Sequence, residues 1–417
     1  MEPKVRFKGF SGEWNVYTIG DIAPVMGGYA FQSEQFSNSG IAIVRISNIL
    51  DTGIIGGDFV KYDIFTGDTS FRLYSGDILI AMSGATTGKV AIVKTDKFLY
   101  QNQRVGKFSR TDKINYSFLA SIVGSNKFRL ELNKRLTSSA QPNASSRDID
   151  SIQQYLPNDI IEQGTIASFF SSIDSTIISS AKKLASLKKL KSASLVAMFP
   201  QQGETTPKVR FKGFEGEWKK VKFLEIFEFL KNNSLSRAEL SSKGDFINIH
   251  YGDILIKYGD LVNIQNEELT YIRDCRIGQT LYKMCSLQNG DIIIADAAED
   301  YSVGKCSEIV NIGNNKVVSG LHTIPCRPLI TFAQGYLGHY INSNSYHNQL
   351  LPLIQGSKIS SISKKTLSQT SVFVPSYEEQ QAIATFFRSL DRKIALETAR
   401  LEKLKQIKLA CLDKMFV

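Results

Sequence analysis

The chain has 417 residues, of which 42% are apolar and 10% are aromatic. This length excludes a single ordinary domain, and the composition is that of a folded protein that can bury two to four cores. Fifty Lys and Arg residues against forty Asp and Glu residues give a net charge of +10, which fits a polyanionic partner but is weak support by itself.

No stretch approaches the roughly eighteen uncharged apolar residues of a membrane span, so no contact with a membrane is expected. Residues 1–14 lack the apolar core of a signal peptide. The five cysteines are odd in number, and no two of them have CxxC spacing. We therefore expect free thiols and a soluble protein of the reducing cytoplasm.

Short β-branched runs bounded by turn residues predict strands in both halves of the chain. They lie at residues 40–48, 77–82 and 89–94, with counterparts at 246–250, 291–295 and 317–318. Apolar residues at helical spacing predict a helix over residues 116–136 and a counterpart over about 331–350. Each half thus begins with an α+β globular segment.

A long apolar stripe, with steps of three and four residues, follows each globular segment and predicts a long helix. The first stripe consists of Ile166, Phe170, Ile173, Ile177, Leu184, Leu187, Leu190 and Met198. The second consists of Ile383, Phe387, Leu390, Ile394, Leu401, Leu404, Ile407 and Met415. Each stripe needs a partner, and we expect the two helices to pack on each other as an antiparallel coiled coil.

Lysines lie between the stripe positions of the first helix, and we interpret them as a solvated helix face rather than as DNA contacts. They are Lys182, Lys183, Lys188, Lys189 and Lys191.

The two halves are diverged copies of one unit. Residues 3–14 and 207–218, which we name the openers, match at eleven of twelve positions. Residues 162–174 match residues 379–391 at the start of each long helix. The offset between copies grows from 204 at the openers to 217 at the helices, so the inserted residues lie in the globular segments. A shared frame, formed by the openers and the long helices, holds two different globular segments.

Enzyme motifs are missing from the sequence. Residues 83–89 resemble a phosphate-binding loop, but Ser83 stands where its first glycine belongs and Val90 where its Ser or Thr belongs. There is no methyltransferase tetrad, AdoMet-binding glycine loop or nucleophile elbow. The four histidines, all in the second copy, lack metal-ligand spacing, so we expect no catalytic residue and no metal site.

The chain resembles the specificity (S) subunit of type I restriction–modification systems. The features that carry the resemblance occur twice and in the same order. They are the two openers, the Gly-Asp-Ile segments at Gly76 and Gly290, the Leu156-Pro157 and Val374-Pro375 exits, and the helix starts at 162–174 and 379–391.

This resemblance implies an α+β fold with two target-recognition domains separated by the two long helices, in a pseudo-two-fold internal repeat. The implied division is residues 1–158 for the first recognition domain, 159–200 for the first spacer helix, 201–206 for a linker, 207–376 for the second recognition domain and 377–417 for the second spacer helix. Each domain would read one half of a split, asymmetric target in double-stranded DNA, and the helices would set the spacing and dock partners.

The implied partners are two methyltransferase (M) subunits and the restriction (R) subunits, and this chain itself would be a non-catalytic subunit without cofactors. AdoMet, Mg²⁺ and ATP are expected only on the partners. Two alternatives remain open: the S-like subunit of a fused nuclease–methyltransferase system, and a protein–protein adaptor that never contacts DNA. An enzyme of an unrecognised kind is a more distant third.

Candidates for DNA contact are polar residues in turns and at strand ends, because Asn and Gln suit adenine while Arg and Lys suit guanine or phosphate. For each of them an ordinary surface role is an equally good interpretation. In the first copy they are Arg45, Asn48, Ser83, Thr86, Thr87, Lys89, Gln101, Asn102, Gln103, Arg104, Asn143 and Arg147, and in the second His250, Tyr251, Lys257, Lys305, His322 and Lys358. Phe10, Trp14, Phe214 and Trp218 are assigned to anchoring the frame, with M docking as the second choice.

Overall fold

A computed structural model describes residues 1–136, 142–265, 267–356 and 358–416 of the chain. The chain divides into two compact units. The first unit comprises residues 1–181 and 399–417, and the second comprises residues 182–398. Each unit therefore includes the N-terminal part of one long helix and the C-terminal part of the other.

The first globular segment is built from short strands and helices. Its strands are β1 (Asn15–Thr18), β2 (Val25–Gly27), β3 (Ile41–Val44), β4 (Lys61–Tyr62), β5 (Arg72–Leu73), β6 (Ile78–Ala81), β7 (Val90–Ile92), β8 (Leu99–Gln101), β9 (Val105–Phe108) and β10 (Gln153–Leu156). Its helices are α1 (Ile19–Ile22), α2 (Tyr116–Val123), α3 (Asn126–Arg135) and α4 (Ser146–Asp150), followed by the long α5 (Ile160–Ala197). One sheet has the order β2-β9-β6-β7 and another β4-β3-β8-β5, while β1 pairs with β10.

The second globular segment repeats this plan with additions. Its strands are β11 (Lys219–Lys222), β12 (Phe227–Phe229), β13 (Leu240–Ser241), β14 (Phe246–Ile249), β15 (Leu261–Asn263), β16 (Tyr271–Ile272), β17 (Ile292–Ala295), β18 (Ala297–Ala298), β19 (Cys306–Val310), β20 (Lys316–Ser319), β21 (Thr323–Pro328), β22 (Ser360–Ser361) and β23 (Ser371–Val374). Its helices are α6 (Phe223–Ile226), α7 (Tyr251–Ile256), α8 (Cys275–Cys285), α9 (Tyr336–Ile341), α10 (Asn344–Leu350) and α11 (Lys364–Ser368), followed by the long α12 (Tyr377–Met415). The sheets have the orders β12-β21-β17-β19-β15 and β13-β16-β14-β20, with β11 paired to β23 and β18 to β22.

Each globular segment begins and ends in one antiparallel strand pair. Asn15 faces Leu156 across β1 and β10, and Lys219 faces Val374 across β11 and β23. Because the two ends of each segment lie side by side, a segment can vary in length and content without moving the frame. We name residues 15–156 the first head and residues 219–374 the second head.

The frame packs in the same way in both units. Phe170 near the start of α5 stacks on Phe416, just past the end of α12, with ring centroids 5.9 Å apart. In the second unit Phe387, near the start of α12, stacks on Phe199, just past the end of α5, also at 5.9 Å. In each unit the end of one helix thus meets the start of the other, so the helices pair antiparallel as predicted.

The openers lock onto these helix ends through equivalent polar contacts. Arg6 donates two hydrogen bonds, of 2.7 and 2.8 Å, to the buried carboxylate of Glu162 in α5. Arg210 makes the same bidentate pair with Glu379 in α12, with both distances 2.7 Å. Planar two-point pairing of this kind fixes orientation as well as distance. Since both partners lie in repeated motifs, the repeat preserves individual contacts of the frame.

The α+β fold class, the duplicated plan and the two long helices are confirmed. One predicted helix is wrong in detail, because residues 116–136 form two helices. Ser125 interrupts them: its hydroxyl accepts a hydrogen bond from Phe128 N and begins α3 as its N-cap. The structural counterpart of residues 89–94 is β19 rather than residues 317–318, which belong to β20 and correspond to β8.

Fourteen of the sixteen predicted stripe residues are buried or partly buried, but Leu190 and Ile407 are 50% and 42% exposed. We name the contact between the two long helices the seam. At this level of the seam, the residue that follows each exposed stripe residue contacts the other helix instead. Lys191, predicted for the solvated face, lies 2.5 Å from Asp391, and the equivalent Lys408 lies 2.5 Å from Asp174. Each unit therefore has an ion pair between the two helices at a position where an apolar contact was predicted.

In the described part of the chain, no helix combines the length and apolarity needed to cross a bilayer.

Replacing Phe416 by Ala tests the frame. The ring is buried and contacts Trp14, Phe118 and Phe170, so its removal leaves a cavity in the first unit. We expect the free energy of unfolding, measured by urea denaturation of the full chain, to fall by about 3–5 kcal/mol. Leu409→Ala, on an exposed face of α12, is the matched control. A loss for Phe416→Ala no larger than that of the control would contradict this account of the frame.

Candidate nucleic-acid interface

Three segments of the first head meet at the carboxyl ends of its central strands. The strands β3 and β8 run parallel, and Asn102 N, just after β8, donates a hydrogen bond to Val44 O at the end of β3 (3.2 Å). Met82 N, just after β6, donates to Arg104 O (3.0 Å), and Ala144 N donates to Met82 O (2.8 Å). We name residues 82–84, 102–104 and 142–144 the edge site of the first head.

The second head has the same backbone arrangement. Gly320 N, just after β20, donates to Ile249 O at the end of β14 (2.9 Å). Asp296 N, just after β17, donates to His322 O (3.1 Å), and Ile362 N donates to Asp296 O (2.9 Å). We name residues 296–297, 320–322 and 360–362 the edge site of the second head.

The matching hydrogen bonds make individual positions of the two edge sites equivalent. A further antiparallel bridge supports the match, because Ser83 faces Asn143 as Ala297 faces Ser361. The equivalent pairs are Met82 with Asp296, Arg104 with His322, and Asn143 with Ser361.

The edge site of the first head carries free hydrogen-bonding groups around a cavity of about 420 Å³. Gln103, Arg104 and Asn143 line this cavity and are exposed. Ser83 also lines it, and its buried hydroxyl has no hydrogen-bond partner among the described residues. Thr87 stiffens the wall by donating to Gly84 O (2.7 Å) and Pro142 O (3.0 Å). This surface can donate several hydrogen bonds to a ligand.

The edge site of the second head has different chemistry on the same backbone. The Nδ1 atom of His322 lies 3.1 Å from Asp296 Oδ1, and the ring of Tyr251 packs edge-on against His322 with centroids 5.2 Å apart. Burial raises the pKa of Asp296, while His322 opposes the rise. His322 has a φ of +53°, a left-handed conformation that is uncommon outside glycine.

Several predicted DNA contacts are instead engaged inside the heads. Asn48 is 1% exposed, and its amide donates to Gly56 O and Asp58 O. Gln101 is fully buried, and its amide donates to Met26 O and Val105 O. Lys305 donates to Leu255 O and Tyr258 O, and burial lowers its pKa. These three side chains support the backbone, so we remove them from the candidate set as a correction.

His250 is a partial case. It is 6% exposed and its Nδ1 accepts a hydrogen bond from Gly252 N, which caps the start of α7. Burial, reinforced by Arg237, lowers the pKa of His250, which favours the neutral ring that this contact needs. His250 nevertheless lies near the edge site. The centroid of its ring is 4.7 Å from that of Tyr251, which in turn contacts His322 of the edge site.

The remaining predicted residues lie at the surface with or without partners. Lys89 pairs with Asp51 at 2.8 Å and Lys257 with Glu268 at 3.5 Å. Thr86 donates weakly to Ser83 O (3.5 Å), and Asn102 Oδ1 accepts from Arg104 N (3.2 Å). Arg45 is partly exposed, and its buried Nε has no partner among the described residues. Arg147 and Lys358 are exposed.

Asp296 and Ser361 belong to the edge site although sequence reasoning missed them. The available signal was the alignment of Gly76–Ala81 with Gly290–Ala295, which places Met82 opposite Asp296 when it is extended by one residue. Ser361 carried no such signal, because its approach to β18 depends on a long-range pairing.

A second polar cluster lies at the seam of the second unit. Ligand atoms of Asp260, His339 and Asp391 lie within 4.8 Å of one another, which is compatible with a metal site. The ammonium of Lys191, however, lies 2.6 Å from Asp260 and 2.5 Å from Asp391, and so supplies the positive charge that a cation would bring. We therefore interpret the cluster as an ion-pair network that ties both long helices to the second head.

Comparisons with known proteins bear on this geometry. The model of the family described as "Type I restriction modification DNA specificity domain" matches the chain twice, at residues 11–189 and 215–406. The type I restriction enzyme MjaVIII specificity subunit of Methanocaldococcus jannaschii is 28% identical over 187 residues, which cover 43% of this chain and 44% of that protein. The match thus spans less than half the length of that relative.

Solved structures resemble the fold over the whole chain. The type I restriction–modification S subunit from M. genitalium superposes with a TM-score of 0.64 at 16% identity, covering 100% of this chain and 99% of that one. A chain from a study of complex assembly and conformational transition of the type I R-M system gives 0.53 at 16% identity, covering 98% and 99%. At these identities the likeness concerns the fold.

The ion-pair network predicts an acid limb in the stability of the chain. Burial alone would raise the pKa of Asp391, but hydrogen bonds from His339 and Lys191 outweigh it and lower the pKa overall. A carboxyl group whose pKa is lowered by folding stabilises the protein above its unfolded pKa of about 3.9, and this contribution is lost as pH falls through the folded pKa. The free energy of unfolding should therefore decrease as the pH is lowered below about 4. In Asp391→Asn this decrease should be less steep.

Asp245→Asn, an exposed change outside the network, is the control and should keep the wild-type slope. Equal slopes in Asp391→Asn and wild type between pH 2 and pH 4, measured by urea denaturation, would rule the network out as the source of the acid limb.

Proposed function

Because the chain belongs to the type I restriction–modification DNA specificity family, with the family's domain present twice, we propose that it is the subunit that selects the DNA target of such a complex. Each head reads one half of a bipartite site in double-stranded DNA. The two edge sites are the surfaces that contact the bases, and cationic side chains around them, such as Arg45, Arg147 and Lys358, contact phosphates.

The observation that carries this proposal is that the two edge sites have the same backbone hydrogen bonds but different side chains at equivalent positions. The two edge sites share their hydrogen bonds, yet Met82, Arg104 and Asn143 in one correspond to Asp296, His322 and Ser361 in the other. Base pairs in the major groove differ in their pattern of donors and acceptors. Unlike donor and acceptor sets on equivalent positions therefore select unlike half-sites, which makes the target asymmetric.

The long helices set the number of base pairs between the half-sites. α5 has 38 residues and α12 has 39, so each helix is about 57 Å long at roughly 1.5 Å per residue. In functional terms the chain divides into recognition domains 1–158 and 207–376, spacer helices 159–200 and 377–417, and the linker 201–206.

Catalysis belongs to the partners in this proposal. Specificity subunits are generally non-catalytic. Two methyltransferase subunits, which bring AdoMet, dock on the frame, and the restriction subunits bring ATP and Mg²⁺. The assembly described for the solved type I R-M system supports association with such subunits.

Mapping of methylated bases tests the proposal. The full chain is expressed with a methyltransferase subunit of the same system, and the complex is incubated with AdoMet and DNA of diverse sequence. We expect methylation within one asymmetric sequence made of two specified blocks separated by a gap of fixed length. DNA binding by the complex should weaken steeply with salt, because phosphate contacts release counterions.

A complex of chain and methyltransferase that binds no duplex at low salt would instead identify the chain as a protein–protein adaptor. Methylation without a specified sequence, or within a single uninterrupted block, would contradict the two-headed reading model.

A further inference from the structure

The edge sites differ in chemical character at the two positions whose backbones are hydrogen-bonded to each other. These are 82 and 104 in the first head, and 296 and 322 in the second. The main-chain geometry is shared, so any difference in base choice at this point comes from the side chains. The first head has an apolar and a cationic side chain there, and the second has a carboxylate and a histidine.

In the first head the guanidinium of Arg104 is exposed and makes no hydrogen bond or ion pair with any described residue. Its backbone is nevertheless fixed on both sides, since Arg104 O accepts from Met82 N and Arg104 N donates to Asn102 Oδ1. The backbone thus holds the base of the side chain in place, and the planar pair of donors is available for a two-point acceptor. In the major groove, guanine O6 and N7 form such an acceptor pair.

The cavity beside Arg104 supplies a second, independent pointer to a ligand. Ser83 is 8% exposed, lines this cavity, and its hydroxyl lacks a partner within the described residues. A buried hydroxyl without a hydrogen bond is costly, and a ligand group entering the cavity would satisfy it. The exposed amides of Gln103 and Asn143 line the same opening.

In the second head Asp296 stands at the position equivalent to Met82, and one of its two carboxylate oxygens has a hydrogen-bond partner among the described residues. Its Oδ1 lies 3.1 Å from His322 Nδ1, while the structure gives Oδ2 no partner among the described residues. The carboxylate is about one quarter exposed. The ring of Tyr251 packs edge-on against the ring of His322. The arrangement presents one oriented acceptor, which matches the exocyclic amino group of cytosine.

We propose that these positions determine the base that each head requires: Arg104 reads a guanine in one half-site, and Asp296, oriented by His322, reads the amino group of a cytosine in the other. This inference rests on the proposed function and goes beyond it by naming the residue and the base for each head. The donor Arg104 and the acceptor Asp296 occupy the two different members of the hydrogen-bonded pair of positions, so the two heads differ both in which position reads a base and in the group that it requires.

The test compares methylation maps of single variants in the complex with the methyltransferase subunit. Arg104→Gln should lose discrimination for guanine at one position of one half-site by roughly 5- to 150-fold, with the other half-site unchanged. Arg104→Lys keeps the charge but loses the planar pair of donors, so binding should persist while the guanine preference weakens. Asp296→Asn should relax one position of the opposite half-site and leave the first intact.

The variants control each other, because each should affect a different half-site. Arg129→Gln, an exposed arginine on α3 without a side-chain partner in the described residues, is the matched surface control and should leave both half-sites unchanged. We expect unaltered thermal unfolding of Arg104→Gln, which would show that folding is preserved, because the guanidinium makes no hydrogen bond or ion pair with the described residues.

The outcomes separate the two proposals. A wild-type map with two blocks, combined with unchanged maps for Arg104→Gln and Asp296→Asn, overturns this assignment and leaves the proposed function intact. Relaxation of both half-sites by either variant also overturns it. A wild-type complex without any specified sequence overturns the proposed function, and this inference with it.

Discussion

The whole structure depends on the contact between the end of each long helix and the start of the other. A phenylalanine past the end of one helix, Phe199 or Phe416, stacks on Phe387 or Phe170 near the start of the other. The same junction holds a buried tryptophan from the opener. Neither helix can bury its own stripe, so the chain must bring both copies of the unit together to complete either core.

This constraint explains why the frame is repeated so closely while the heads are not. The openers and helix starts contribute the buried Arg–Glu pairs, the stacked rings and the seam ion pairs, and a change in any of these leaves a cavity or a buried charge without its partner. The heads are attached through single strand pairs whose ends are adjacent. They can therefore differ in content, as the 11-residue helix α8 of the second head shows, without cost to the frame.

Much of this organisation was predictable from the sequence, because the repeat and the apolar stripes reflect local periodicity. The break between α2 and α3 was missed because a capping serine at position 125 competes with an otherwise continuous helical pattern. The seam position of Lys191 was missed because an ion pair, rather than an apolar side chain, occupies that level. Helical spacing cannot distinguish a lysine that faces a carboxylate from one that faces water.

The candidate interface was predictable only in part. Arg104, Ser83 and His322 were selected from turn and strand-end positions, and the structure brings the first two to one cavity edge. Gln101 belongs to the same polar run as Arg104, yet it is buried as the last residue of β8, whereas Arg104 lies exposed in the turn before β9. Asp296 could be found by extending the alignment of the Gly-Asp-Ile segments by one residue, but its place beside His322 depends on a hydrogen bond between distant segments.

The central claim is that one frame holds two interchangeable readers, each responsible for one half-site. The most direct measurement is the methylation map of a chain in which residues 15–156 are replaced by residues 219–374, so that the second head occurs twice. The account predicts that this protein, with its methyltransferase subunit, modifies a site containing the second half-site twice and the first not at all. Retention of the first half-site would contradict it.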